Sequence, residues 1–253
     1  MLEQAERPQA TAATRPAPSE PIRHSLATFR TYPVQPVRPA RGLVFTEPTS
    51  SASALGAAAK RALDLVIAVP LLIVLTPLIV VVAVAIKADS PGPVLIAQER
   101  VSKGLRTFRM FKFRSMVANA SELIGSLQAF NEATPPLFKI RKDPRVTRVG
   151  RHLRRLSIDE VPQLINVLKG EMSLVGPRPP LRNEVESDRW RQSFRLRQAP
   201  GMTGLWQISG RSNLGYEAMI ALDISYVRDW SILLDLSILL RTPAVVLGGR
   251  GAH

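Results

Sequence analysis

The chain has 253 residues, room for one sizeable domain with appendages, and it contains no cysteine. Disulfides, thiolate nucleophiles and cysteine-based zinc sites are therefore excluded, and the three scattered histidines (His24, His152, His253) leave oxygen ligands, hence magnesium or manganese, as the chemistry of any metal. A formal charge of +14 and a sequence pI of about 11.2 call for anionic partners: nucleic acid, anionic lipid or a phosphorylated ligand.

Residues 1–57 read as a disordered Pro/Ala/Arg-rich region, because eight prolines fall in the first fifty positions without hydrophobic periodicity. No apolar core follows the early charges, so no secretory signal is expected there. From Leu65 to Ile86 the chain then runs for 22 residues without a charge, enough helix to reach across a hydrocarbon core of ~30 Å. Pro70 and Pro77 interrupt that run, and each removes a helical hydrogen bond and favours a kink. Residues 1–61 carry eight Arg/Lys against four acids, and residues 87–114 carry seven against two, so both flanks have the character of cytoplasmic ends. The expectation is a re-entrant membrane helix over 58–88, with the chemistry at the inner face of the membrane. A single-pass helix and a buried helix of a soluble core remain the alternatives that the residues allow.

Asp89-Ser90-Pro91-Gly92-Pro93 forces a turn. Val94–Ile96 and Phe108–Phe113, around Lys103-Gly104, predict a β-hairpin. Helices are expected over Met116–Phe130, from near Asp159 to Lys169-Gly170, over 181–198, and from Tyr216 to Leu247. The last is amphipathic and suits either packing on the core or lying in the membrane interface. The fold class that results is mainly α with a small β element: a re-entrant helix and a compact cytoplasmic domain with amphipathic interface helices.

Two neighbouring features carry the chemistry. Arg141–Arg155 holds seven Arg/Lys and one acid, a run that by itself fits a solvated or membrane-facing surface. Directly after it come Ser157-Ile158-Asp159-Glu160-Val161-Pro162. Guanidinium groups bind phosphate through a planar fork, and phosphate chemistry needs a carboxylate that attacks phosphorus or holds a divalent cation. Asp159 also suits a helix N-cap, and Ser157-x-x-Glu160 a capping box, so plain capping competes with catalysis at this point.

Longer motifs decide between them. Lys112-Phe113-Arg114-Ser115-Met116, the run from Arg154-Arg155-Leu156-Ser157-Ile158-Asp159-Glu160-Val161-Pro162-Gln163 to Gly170, and Met172-Ser173-Leu174-Val175-Gly176-Pro177-Arg178-Pro179 together resemble the bacterial sugar transferase family. Pro200–Arg211 and Tyr226–Ser231 continue the likeness, which covers about residues 58–250. The resemblance implies a monotopic phosphoglycosyl transferase that loads a polyprenyl phosphate with a sugar phosphate from a UDP-sugar, with residues 89–250 as the cytoplasmic transferase domain. It implies Asp159 as nucleophile, a phosphosugar-aspartyl intermediate, UMP as leaving group, and Glu160 as ligand to Mg²⁺. It further implies Lys112, Arg154, Arg178 and Arg211 as phosphate-binding residues, with Thr76-Pro77 where the family carries a Ser-Pro break in the membrane helix. Ile158 and Pro180 stand where leucine and an aliphatic residue are usual, and neither change removes a reactive group. Residues 1–57 are too few and too polar for the extra membrane domain of large family members, so the small, core-only class is expected.

The expected partners are the UDP-sugar, glucose or galactose first, the polyprenyl phosphate and inner-membrane lipids; a homo-oligomer stays open. Nucleic acid is not expected, because the few aromatic residues are not interleaved with the basic run as stacking platforms. An inactive scaffold or regulator of polysaccharide assembly is the remaining rival, and the retained Asp159-Glu160 pair argues against it.

Overall fold

The structure is a computed structural model and describes residues 54–133, 138–211 and 214–248. The proline-rich N-terminal region therefore lies, apart from its last four residues, outside the described residues, as do Pro135 and Pro136.

Helix α1 (Ala54–Asp89) is 36 residues long, about 54 Å, and passes through Pro70 and Pro77 as one continuous helix. The Thr76 hydroxyl donates to the carbonyl of Leu72 at 2.9 Å, one turn back, beside the proline that lacks its own N–H. Valines and isoleucines such as Val66, Ile73, Val74 and Val81 point outward along its length. Both ends of α1 nonetheless pack on the same body. Ala68, with Ile67 and Leu72 beside it, joins a core with Leu164, Val167 and Val175, while Val82 and Ile86 join a second core with Phe113 and Leu153.

The predicted hairpin is present. Strands β1 (Leu95–Val101) and β2 (Thr107–Phe113) pair antiparallel in a register that sets Arg100 opposite Phe108 and Ile96 opposite Lys112. Gly104 sits in the connecting turn at φ 69°, a left-handed position that glycine adopts without strain. The next helix is shorter than expected: α2 is only Ile124–Leu127, because Met116 is held extended in a bridge to Val146 and Val117 N–H bonds Arg145.

Helix α3 (Arg148–Arg155) follows, its N-terminus capped by Thr147 and by the Asp89 carboxylate at the end of α1, which accepts from Val149 N–H at 3.0 Å. After a 3₁₀ turn (Ile158–Glu160) comes α4 (Gln163–Lys169), closed by Gly170 at φ 79°. Strands β3 (Ser173–Val175) and β4 (Gly201–Thr203) form a second, parallel pair.

The helix expected over 181–198 is two, α5 (Arg182–Ser187) and α6 (Arg189–Arg195), broken at Asp188, whose side chain caps the second. One-turn helix α7 (Leu205–Ile208) precedes the tail, which also divides, into α8 (Tyr216–Arg228) and α9 (Ile232–Leu247). Ser231 caps α9, and Trp230 turns inward to donate its indole N–H to Asp235 at 3.1 Å, which ends the continuous periodicity. Helix α8 is packed on the core, whereas α9 buries Asp235 and Ile238 and leaves Leu233, Leu240 and Leu247, at seven-residue spacing, 77–82 % exposed.

Candidate active site

The site forms where β2, the end of α3, the 3₁₀ turn and the segment after α7 meet. Lys112 reaches it from β2, and α4 fixes that strand. The side-chain amide of Asn166 accepts from Phe111 N–H at 2.9 Å and donates to Arg109 carbonyl at 2.7 Å, taking the place of a neighbouring strand on either side of Met110, just before Lys112. Arg154 lies in the last turn of α3, and its Nε donates to Ser115 Oγ at 2.9 Å. That bond depends on close approach: a Cβ at Gly150 would lie 2.0 Å from the Ser115 carbonyl oxygen, so only glycine lets α3 lie this close to the end of β2.

The turn Ile158–Glu160 is not the cap expected from sequence. Asp159 sits inside it, α4 starts from Pro162, and Ser157 makes no capping bond. Ser157 is instead held at φ 54° and accepts from Arg211 Nη2 at 2.5 Å, while Arg211 itself has φ 52°. Two of the three non-glycine residues with positive φ among the described residues thus hold each other at the site. Each such residue costs on the order of 1–2 kcal/mol, a strain that the surrounding contacts must offset and that is typical of functional loops.

The two carboxylates differ in environment. Asp159 is buried, and among the described residues no other side chain donates a hydrogen bond to its carboxylate. Burial, reinforced by the charge of Glu160, pushes its pKa above the ordinary value against the pull of Lys112 and Arg154. Glu160 accepts from Lys112 Nζ at 2.8 Å and keeps 36 % of its side chain open. Desolvation works against its ionisation too, but Lys112, Arg211 and Arg100 outweigh it and hold the carboxyl below its usual range. A charged Glu160 beside a buried Asp159 with no side-chain hydrogen-bond donor is an arrangement in which one acid can hold cations while the other reacts.

Asp159, Glu160, Lys112, Arg154 and Arg211 are brought together. Arg178 is not. Its guanidinium is paired with the fully buried Glu184 at 2.9 Å and its backbone N–H donates to Asp223, and its charge is felt by Arg100. Sequence reasoning passed over Arg100 and the serines Ser115 and Ser157. Strand alternation was a usable signal for Arg100, since the register puts it on the same hairpin face as Lys112. Nothing local marks Ser157, whose partner is 54 residues away.

No group of three or more acidic or histidine side chains that could cage a metal occurs among the described residues. The donor set, adjacent Asp159 and Glu160, fits a cation of the kind that takes one or two carboxylates and completes its shell with water and substrate phosphates, which is how magnesium is usually bound.

The family model for bacterial sugar transferases matches residues 55–249. The chain is 40% identical over 212 residues to the exopolysaccharide production protein ExoY of Sinorhizobium fredii, covering 81% of this chain and 92% of that protein. It is 41% identical to the undecaprenyl-phosphate galactose phosphotransferase of Salmonella typhimurium over 77% of this chain and 41% of the relative. With the undecaprenyl-phosphate glucose phosphotransferase of Komagataeibacter xylinus the identity is 46%, over 72% and 35% of the two chains. The chain thus spans nearly all of ExoY and less than half of the two phosphotransferases. It belongs to the bacterial sugar transferase family.

Proposed function

We propose that this protein transfers a hexose 1-phosphate from a UDP-sugar to polyprenyl phosphate and so begins the assembly of an exopolysaccharide on its lipid carrier. The observation that carries this reading is the buried Asp159, free of side-chain hydrogen bonds among the described residues, beside Lys112 and Arg154, with Arg211 bonded to nearby Ser157. Family membership and the lipid-phosphate names of the relatives support it, and galactose and glucose in those names make a hexose the first sugar to test.

In the reading's first step an oxygen of Asp159 bonds to the phosphorus next to the sugar. The bond to the bridging diphosphate oxygen breaks, and its electron pair leaves with UMP. In the second step a phosphate oxygen of the polyprenyl phosphate attacks the same phosphorus and returns Asp159 as carboxylate. Splitting the reaction lets one nucleophile serve a soluble donor and a lipid acceptor in turn. Arg154 and Lys112 sit beside Asp159 to stabilise charge on the phosphoryl group under attack. Glu160 would hold Mg²⁺, which neutralises charge on the diphosphate. UMP release should appear with undecaprenyl phosphate and one or more UDP-hexoses and stop with excess chelator; its absence across a panel of UDP-sugars would favour the scaffold reading.

Helix α1 supports membrane attachment on one face. Lys60, Arg61 and Ala68 near its start and Val82, Ile86 and Asp89 near its end all contact the domain that holds the site. A helix gripped at both ends by one domain supports the re-entrant reading, with the outward valines and the α9 leucines in lipid at headgroup depth. Single cysteines at Ala57 and Lys103, both exposed, should then react only with reagents applied from the cytoplasmic side. Labelling of the Ala57 site from the other side would establish a spanning helix.

A further inference from the structure

Arg100 is 8 % exposed and forms no ion pair among the described residues. Its Nη1 donates to Pro179 carbonyl at 3.0 Å and its Nη2 to Gln98 Oε1 at 2.8 Å, while its Nε is buried without a partner. The nearest carboxylates are engaged elsewhere: Glu184 with Arg178, and Glu160 with Lys112. A buried guanidinium without a counter-ion is costly, and an anionic ligand that supplies the missing charge and takes the open N–H removes that cost.

Three observations place the ligand. The hairpin register puts Arg100 and Lys112 on one face, four residue pairs apart along the ladder. Arg100 and Arg211 both act electrostatically on Glu160, whereas Arg154 acts on Asp159. Arg211 also has a buried open donor, Nη1. The cations therefore divide into two groups, Arg154 with the acid proposed to attack, and Arg100 with Arg211 around the acid next to it.

We propose that Arg100 and Arg211 form a clamp for the nucleotide phosphate of the donor, with the open Nε of Arg100 as one of its hydrogen-bond donors. The proposal rests on the phosphoglycosyl transferase reading and adds to it the division of labour between the two phosphates. Arg154 and Lys112 take the phosphate that stays with the sugar, and Arg100 and Arg211 take the one that leaves as UMP. Burial, and after it the charge of Arg178, lowers the pKa of Arg100 to about 9 against the pull of Glu184 and Glu160.

The rival is a purely structural Arg100 that ties β1 to the Gly176–Pro180 loop through Pro179. Calorimetric titration of UMP into the full-length protein in lipid nanodiscs with Mg²⁺, paired with thermal unfolding, separates the two. Arg100→Met is expected to weaken UMP binding about 10- to 100-fold, the loss of hydrogen bonds to a charged group, and Arg100→Lys to weaken it less. Discharge of sugar phosphate from enzyme already loaded by long incubation to polyprenyl phosphate should keep its parental rate, because no nucleotide takes part in that step.

Unchanged UMP affinity in folded Arg100→Met overturns the clamp, and so does an equal slowing of both half-reactions alongside a lowered melting point. A parent protein that binds no UMP also overturns it. If Arg100→Met does not fold, Arg100→Gln, which keeps an N–H for Pro179, is read by the same outcomes. A parent that binds UMP through Arg100 yet transfers no sugar phosphate would sink the proposed function and leave the clamp standing.

Discussion

Asp159→Asn is expected to lower sugar-phosphate transfer by on the order of a thousandfold or more while the protein still folds and binds membrane. The amide keeps the size of the side chain and removes only the negative oxygen. Its cationic neighbours keep other partners, Lys112 in Glu160 and Arg154 in Ser115, so little structural loss should follow. The pH dependence has a definite sign. Burial raises the pKa of Asp159, so the acid limb of the parental rate should lie above the range of an ordinary aspartate, with activity rising as pH climbs through it. Glu160, held below its usual value, stays ionised throughout that window. Arg154→Met removes a cation that favours the charged Asp159 and should move the limb to still higher pH. Initial rates across pH, with the variants' unfolding measured in parallel, check both statements.

The second large effect concerns the grip on the membrane helix. Lys60 is buried at the start of α1, where its Nζ donates to Asp235 at 2.6 Å, to the carbonyl of Val175 at 2.9 Å and to the Tyr226 hydroxyl at 3.2 Å. Asp235 also accepts from Tyr226 at 2.7 Å and from Trp230, so one carboxylate joins α1, α8 and α9. Lys60→Met leaves that carboxylate buried without its cation and should cost about 3–5 kcal/mol, since removing one partner of a buried pair strands the other. In a domain of this size the melting midpoint should fall by on the order of 10 °C. The double variant Lys60→Met/Asp235→Leu should recover much of the loss, because no stranded charge remains. Thermal unfolding in detergent decides it, and a shift of less than about 2 °C for the single variant would mean that the pair contributes little.

What the sequence made legible, and what it hid, follows from the range of each interaction. The hairpin was legible because Lys103-Gly104 and the alternating residues of β2 act within a few positions, and Gly170 marked the end of α4 for the same reason. Met116–Phe130 was misread because its helical look ignores Val146, which holds Met116 extended from thirty residues away. The tail looked like one helix since Trp230 keeps the apolar spacing, yet its indole turns back to Asp235. At the site the motifs named Asp159, Glu160, Lys112, Arg154 and Arg211. The N-cap geometry inferred for Asp159 failed because Arg211, distant in sequence, draws Ser157 into a left-handed conformation. Arg178 was expected among the phosphate ligands because its motif resembles the family's, and its pairing with buried Glu184 on α5 was not legible in the sequence.

Covalent capture tests the central claim most directly. The parental protein is mixed with radiolabelled UDP-hexose in the absence of lipid acceptor, quenched, digested, and searched by mass spectrometry for the peptide containing Asp159. A sugar phosphate on that residue, close to one equivalent per site, released as lipid product when polyprenyl phosphate is added, is the predicted result. UMP should be released in matching amount before the acceptor arrives, and initial-rate plots should be parallel. No adduct on that peptide, no UMP without acceptor, and intersecting plots would contradict the account and assign the transfer to a direct attack by the lipid phosphate.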